Sequence, residues 1–143
     1  MGHNNQKKIA AINDYTGFGR CSIAVELPVI SALKVQCCPL PTSVLSNHTG
    51  FDSFYFEDFT DSMPAYIAEW KKLNLKFDGI CSGFLGSHRQ IKIVEDFFKT
   101  FKTDENIILV DPVTQKRCFL QQEPSLQLSP LPAFITLSLP ESY

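Results

Sequence analysis

Apolar and polar positions alternate between two periods along this chain, and the switches between them mark the elements. Lys7 to Asp14 (KKIAAIND) is a short apolar run leading into polar residues, the pattern of a buried first strand. Tyr15 to Arg20 (YTGFGR) predicts a turn with two glycines. From Cys21 the period becomes helical, with Ile23, Leu27, Ile30 and Leu33 on one face. Pro28 falls inside that helix and is expected to kink it or end its first part. Val35 to Leu45 predicts a strand, a Pro-interrupted turn and an extended segment. Ser46 to Gly50 (SNHTG) is a polar loop, and the aromatic, acidic run Phe51 to Phe59 is ambiguous.

Two helices follow with clearer boundaries. Asp61 is the expected N-cap of a helix carrying Met63, Ile67, Trp70 and Leu73 on one stripe. Phe77 to Phe84 (FDGICSGF) predicts a short buried strand ending in glycine. Ser87 with Gln90 forms a capping-box pair before a stripe of Ile91, Val94, Phe98 and Phe101. Asn106 to Asp111 (NIILVD) is a strongly apolar strand that ends in an acid. Trp70, Phe97, Phe98 and Phe101 are core by spacing.

Strands alternating with helices predict an α/β fold, a parallel sheet covered on both sides with right-handed crossovers. Ligands collect at the carboxyl ends of the strands in such sheets. Those ends carry Asp14 with the YTGFG turn, the SNHTG loop, Ser82-Gly83-Phe84, and Asp111. Beyond Val113 the character changes. Residues 114–143 are rich in proline and keep no helical face, so an irregular tail is expected, with at most a short strand over Phe134 to Leu139.

Composition narrows the classes of function. At 143 residues, 44% hydrophobic and 20% charged, the chain has room for one ordinary domain. No apolar run approaches a membrane span. A net charge of −2 supplies no basic field for nucleic acid. The five cysteines, Cys21, Cys37, Cys38, Cys81 and Cys118, are odd in number and lack CxxC spacing. They read as reduced thiols of a cytoplasmic protein. The polar start, Met1 to Lys8, has no apolar core, so it is not expected to act as a signal peptide.

Several motifs have a chemical and a plain reading. Gly17-Phe18-Gly19 after a first strand suggests a dinucleotide loop, but Ser22 stands at the third glycine and no acid ends the second strand. A tight strand–helix turn is the better reading. His48, between Ser46, Asn47 and Thr49, can orient a small polar ring or satisfy its own turn. No other His or Cys stands at metal-ligand spacing, so zinc is not expected. Asp111 suits a metal or phosphate site, or a turn; both stay open. The Ser82–Ser87 segment (SGFLGS) opens a helix whose N-terminus suits an anion or a cap.

Taken together, INDYTGFGRCS, PLPTSVLSNHTG, FTDSMPAYIAEW, LKFDGICSGFLGS and VDPV occur in the order and spacing of pyridoxal kinases. Residues 7 to 113 resemble the substrate-side half of these ribokinase-like enzymes. The resemblance implies a three-layer, Rossmann-like, mostly parallel sheet flanked by helices, incomplete in this chain, with 1–113 as the kinase part and 114–143 as a divergent tail. It also implies ATP- and Mg²⁺-dependent phosphorylation of the 5′-hydroxymethyl of pyridoxal, pyridoxine or pyridoxamine. By the same resemblance Asp14, Phe18 and Ser43 line the pyridine ring, His48 and Thr49 contact the ring and its substituents, and Phe84 stands near the substrate. Asp111 matches an acid on the nucleotide and metal side. The full-length relatives are expected to be homodimers.

The family's aspartate base lies in a GxGD motif of its second half, where backbone amides also stabilise the developing charge. This chain has no Asp after Asp111 and no Gly after Gly86, so no catalytic residue is assigned. Thr114-Gln115-Lys116 replaces the usual glycine–aspartate continuation, and a truncation or frameshift after Val113 is the expectation. The alternatives are a non-catalytic pyridoxal-binding remnant and a hydroxymethylpyrimidine kinase-like enzyme. A half-fold of this kind is expected to be weakly stable, since its sheet keeps an open edge.

Overall fold

The computed structural model describes residues 5–111. In chain order these form β1 (Lys8–Phe18), α1 (Ile23–Ala32), β2 (Gln36–Asn47), β3 (Phe56–Asp58), α2 (Met63–Lys72), β4 (Gly79–Ser82), α3 (His88–Phe101) and β5 (Ile107–Val110). The sheet order is β3-β2-β1-β4-β5. Only β3 is antiparallel, against β2; the other pairs are parallel. The fold is therefore α/β, a mostly parallel sheet flanked by helices, as the alternation of periods predicts. The expected tail at 114–143, its short strand at Phe134 to Leu139, and Cys118 lie outside the described residues.

Strand alternation divides the sheet into two faces. Ala10, Ile12, Leu40, Ile80 and Ile108 point to one face and pack under Met63 and Ile67 of α2 and Val94, Phe97 and Phe101 of α3. Aromatic rings fill this core: Phe97 and Phe101 lie 4.5 Å apart, and Phe77 is 5.3 Å from both Phe101 and Trp70. Burial of each such side chain stabilises by roughly 1.5–3 kcal/mol. Helix α1 packs against β1 and β2 on the opposite face. No helix among the described residues is long and apolar enough to cross a membrane.

Several local expectations are corrected. The first strand does not turn at Tyr15; it continues to Phe18 because β2 is equally long and pairs Tyr15, Thr16 and Phe18 with Val44, Leu45 and Asn47. The turn starts at Gly19, whose φ of +129° is open to glycine, and passes Arg20 and Ser22 at positive φ. Nor do Pro39 and Pro41 break β2. Gln36 donates to Lys7 of the β1 side, so the alternate positions 39 and 41 face away from β1, where no described strand pairs below Ser43. A missing N–H costs nothing there.

The helices differ in detail. Helix α1 continues through Pro28, and of its expected stripe only Ile23 is fully buried, Leu33 being 72% exposed. Ser62 rather than Asp61 caps α2, with Pro64 in its first turn; Asp61 instead pairs with Arg89. Ser87 does cap α3, accepting from Gln90 N–H, but the Gln90 side chain turns inward rather than closing the box. The buried stripe of α3 is accordingly Gln90, Val94, Phe97 and Phe101, with Ile91 and Phe98 half-buried.

Candidate functional site

The carboxyl end of the sheet is stepped. Strands β1 and β2 run on together to Phe18 and Asn47, whereas β4 and β5 stop at Ser82 and Val110, level with Ile12 of β1. The long pair thus stands as a wall of about 13 Å above Asp14, at about 3.3 Å per residue. The short pair leaves a floor at its foot.

The floor is built from buried polar groups. Asn13, Asp14, Thr16, Thr42, Ser43, Ser82 and Gln90 are all buried near this end of the strands. Burying a polar group is costly without a partner, and almost every one has its partner. Asp14 accepts from Thr16 Oγ1 and Ser22 Oγ, both at 2.6 Å, so each carboxylate oxygen ties part of the strand-to-α1 turn. Asn13 Oδ1 accepts from the N–H groups of Asp14 and Phe84 at 3.0 and 2.9 Å. Thr42 Oγ1 donates to the Phe84 carbonyl at 2.9 Å. Gln90 donates to Thr42 O and Thr60 Oγ1 and accepts from Gly86 N–H.

Ser43 is the exception. It is fully buried at the irregular stretch of β2 opposite Asp14, and its hydroxyl has no hydrogen-bond partner among the described residues. Phe84 is half-buried on the loop after β4. Asp111 is exposed at the end of β5, its N–H bonded to Ser82 O at 2.8 Å.

The wall carries the remaining sequence-predicted residues. Phe18, 66% exposed, faces Phe51 at 5.6 Å between ring centroids. With Ser46, Asn47, Asp52 and Ser53 these rings line a shallow open cleft. His48 N–H donates to Phe18 O, and His48 Nδ1 accepts from Gly50 N–H at 3.0 Å. The proton of the neutral imidazole therefore sits on Nε2. Thr49 is half-buried in the same turn. Gly19 is needed here, because a Cβ on it falls 2.6 Å from His48 Cβ.

The predicted residues thus form two groups: Asp14, Ser43, Phe84 and Asp111 around the floor, and Phe18, His48 and Thr49 along the wall. Sequence reasoning passed over Asn13 and Thr42, gave Gln90 only a capping role, and passed over Glu26 of α1; Asn13, Thr42 and Gln90 hold the floor together. Their signal is a polar residue at a position whose strand or helix period calls for an apolar one.

Glu26 Oε1 accepts from Asn13 Nδ2 at 2.9 Å, while its Oε2 is buried with no partner among the described residues. Burial raises its pKa; the Asn13 bond opposes this, and the charges of Asp14 and Asp111 add to it. The thiols of Cys37 and Cys81 are pushed up to about 11 by burial, with Glu26 contributing. No set of three or more His, Cys, Asp or Glu among the described residues is placed to hold a metal ion.

No protein-family profile matches the chain. Solved structures do. A protein from Bacteroides thetaiotaomicron described as a phosphomethylpyrimidine kinase is 53% identical, with a TM-score of 0.75 over 78% of this chain and 38% of its own. A second crystal form of that protein, containing pyridoxal, gives 52% identity and a TM-score of 0.76 over 79% of this chain and 40% of its own. Pyridoxal kinase from Lactobacillus plantarum is 25% identical, with a TM-score of 0.68 over 73% of this chain and 37% of its own. The chain therefore spans about two fifths of the length of these structures, and over that span it is similar in sequence and fold to pyridoxal and phosphomethylpyrimidine kinases.

Proposed function

We propose that residues 5–111 form the ring-binding part of a kinase that phosphorylates a hydroxymethyl group on a small substituted heteroaromatic ring, with a B6 vitamer as the ring. One observation carries the reading. The buried Ser43 hydroxyl has no hydrogen-bond partner among the described residues at the floor of the strand-end site, opposite Asp14. A ring heteroatom or substituent in the floor supplies the missing hydrogen bond, which a buried hydroxyl otherwise forfeits at roughly 1–3 kcal/mol. The Bacteroides protein, similar over this whole region, was crystallised with pyridoxal.

Each side chain then has a role. Phe18 stacks on a flat ring at the wall, and His48, with its Nε2 proton, donates to a polar substituent. Thr49 stands beside it, and Phe84 closes the floor side. Asp14 acts through the turn it ties. Asp111, exposed at the strand end, serves the phosphate side. One carboxylate fits a magnesium ion held mostly by phosphates and water, and Mg²⁺ neutralises charge on the transferring phosphoryl group when bound. ATP is the proposed donor.

The alternative ring is hydroxymethylpyrimidine, which the description of the Bacteroides protein favours. Titration calorimetry of the 143-residue chain with pyridoxal, pyridoxine and hydroxymethylpyrimidine separates the two. Binding of a B6 vitamer at least tenfold tighter than the pyrimidine, reduced by Ser43→Ala, is expected. Equal or reversed preference sinks the B6 assignment, and no binding of either ring sinks the whole reading. ATP-dependent product is not expected from this chain, because phosphoryl transfer needs a base and a charge-stabilising amide cradle and no Gly follows Gly86 and no Asp follows Asp111.

A further inference from the structure

We infer that Asn13, oriented by Glu26, is the residue that positions Phe84 in the ring-binding floor, so that a contact between β1 and α1 sets the shape of the pocket beside the loop after β4. The inference rests on the ring-binding reading above and deepens it.

The geometry starts from an amide with two distinct ends. The N–H groups of Asp14 and Phe84 can be satisfied only by an acceptor, and Asn13 Oδ1 accepts from both. That fixes the flip of the amide and aims Nδ2 at α1. Glu26 Oε1 receives it there. Remove that acceptor and Nδ2 loses its bond at α1, so the amide is held from the Oδ1 side alone; turned over, it presents N–H to N–H and the Phe84 bond is lost. The Glu26 carboxylate is the only described group bonded to Asn13 Nδ2, so it is the lock on the orientation.

Phe84 is held at both ends of its own residue. Asn13 of β1 takes its N–H and Thr42 of β2 its carbonyl, while Gln90 anchors Gly86 two residues on. The loop after β4 is thereby tied to two strands and one helix within four residues. Gly83 belongs to the same device: a Cβ there falls 2.4 Å from Asn13 Nδ2, so the amide lies where any other side chain would stand. A role confined to stability does not require the amide to reach Phe84, because β1 and β4 are already joined by backbone bonds from Ile9 to Ile12.

The test swaps the polarity of the pair. In Asn13→Asp two carboxylates face each other, and the aspartate turns from Glu26. In the double variant Asn13→Asp with Glu26→Gln, the glutamine amide donates to the aspartate, whose other oxygen again accepts from Phe84. Amide hydrogen exchange at Phe84 in the unliganded chain reads the bond directly; pyridoxal calorimetry reads its consequence. Asn13→Asp is expected to speed exchange at Phe84 and weaken pyridoxal binding about tenfold, equivalent to one hydrogen bond of about 1.4 kcal/mol. The double variant is expected to recover most of both. Glu26→Gln alone keeps an acceptor and stays within about twofold of wild type.

If Asn13→Asp does not fold, Glu26→Leu removes the lock without adding charge, and the same two readings apply with a loss of about threefold. Exchange that changes while pyridoxal affinity does not overturns the positioning role. So does a double variant no better than Asn13→Asp. A wild-type chain that binds no ring overturns the ring-binding reading and this role with it, whereas a wild type that binds and variants that bind equally overturn only this inference.

Discussion

The two faces of the sheet are built to different standards. Under α2 and α3 the strands present Ala10, Ile12, Leu40, Ile80 and Ile108 to a continuous aromatic core. On the other face α1 covers β1 and β2. Past its edge Ile9, Cys81, Leu109 and Val35 line an open apolar trough, and Ile107 on β5 is 68% exposed. The helix itself is apolar on several sides, with Leu27, Val29 and Leu33 exposed. Stability is concentrated on one face, while the polar groups that shape the candidate site gather at the carboxyl end between the faces. Packing and chemistry can therefore be perturbed separately.

The largest difference is expected when the core and the α1 end are truncated equally hard. Phe97→Ala removes a ring that is 1% exposed and is expected to cost about 3–5 kcal/mol. Leu33→Ala, at 72% exposure, is expected to cost about 0.5 kcal/mol or less. Urea denaturation midpoints of the two variants measure the gap. Equal losses mean that α1 is packed as tightly as the covered face.

Next in size is Gly83→Ala, which acts at the boundary between packing and chemistry. Its new methyl displaces the Asn13 amide and is expected to cost about 1–3 kcal/mol as overpacking. Loss of pyridoxal binding should exceed that of a core variant matched for stability. Thermal melting beside calorimetry decides it: a loss of binding no greater than the matched variant's shows that the floor is part of the general core.

Most of the architecture was legible because it rests on period. The apolar runs in KKIAAI and NIILV, the stripe through Val94 and Phe101, and the Ser87 cap each correspond to an observed element. What was illegible came from tertiary partners. Tyr15 to Phe18 looks like a turn locally and is strand because β2 lies beside it. Pro39 and Pro41 look like breakers and are tolerated because their side of β2 is unpaired there. At the site, the SNHTG turn and the SGFLGS loop stood out by composition. Asn13 and Thr42 did not, and Gln90 stood out only as a cap, since a polar residue carries no mark of which bond it will make across 30 to 71 residues of chain.

The smallest expected effect is electrostatic, and it separates Glu26 from the apolar packing around it. Its pKa is raised from 4.5, chiefly by burial. A carboxyl with a raised pKa in the folded state binds its proton more tightly there than in the unfolded chain. Its contribution to stability is fully present below the unfolded value and is lost as pH rises through the folded one. Wild-type stability is therefore expected to fall relative to Glu26→Gln as pH rises from 4.5, and to level off once Glu26 is ionised in both states. Urea midpoints of the two chains across acid to neutral pH give the difference directly, with other groups cancelling to first order. A difference that stays flat shows that the Asn13 bond balances burial, and one that grows in favour of the wild type as pH rises shows that the bond outweighs it. The ionised carboxylate then stabilises the site end of the sheet instead of straining it.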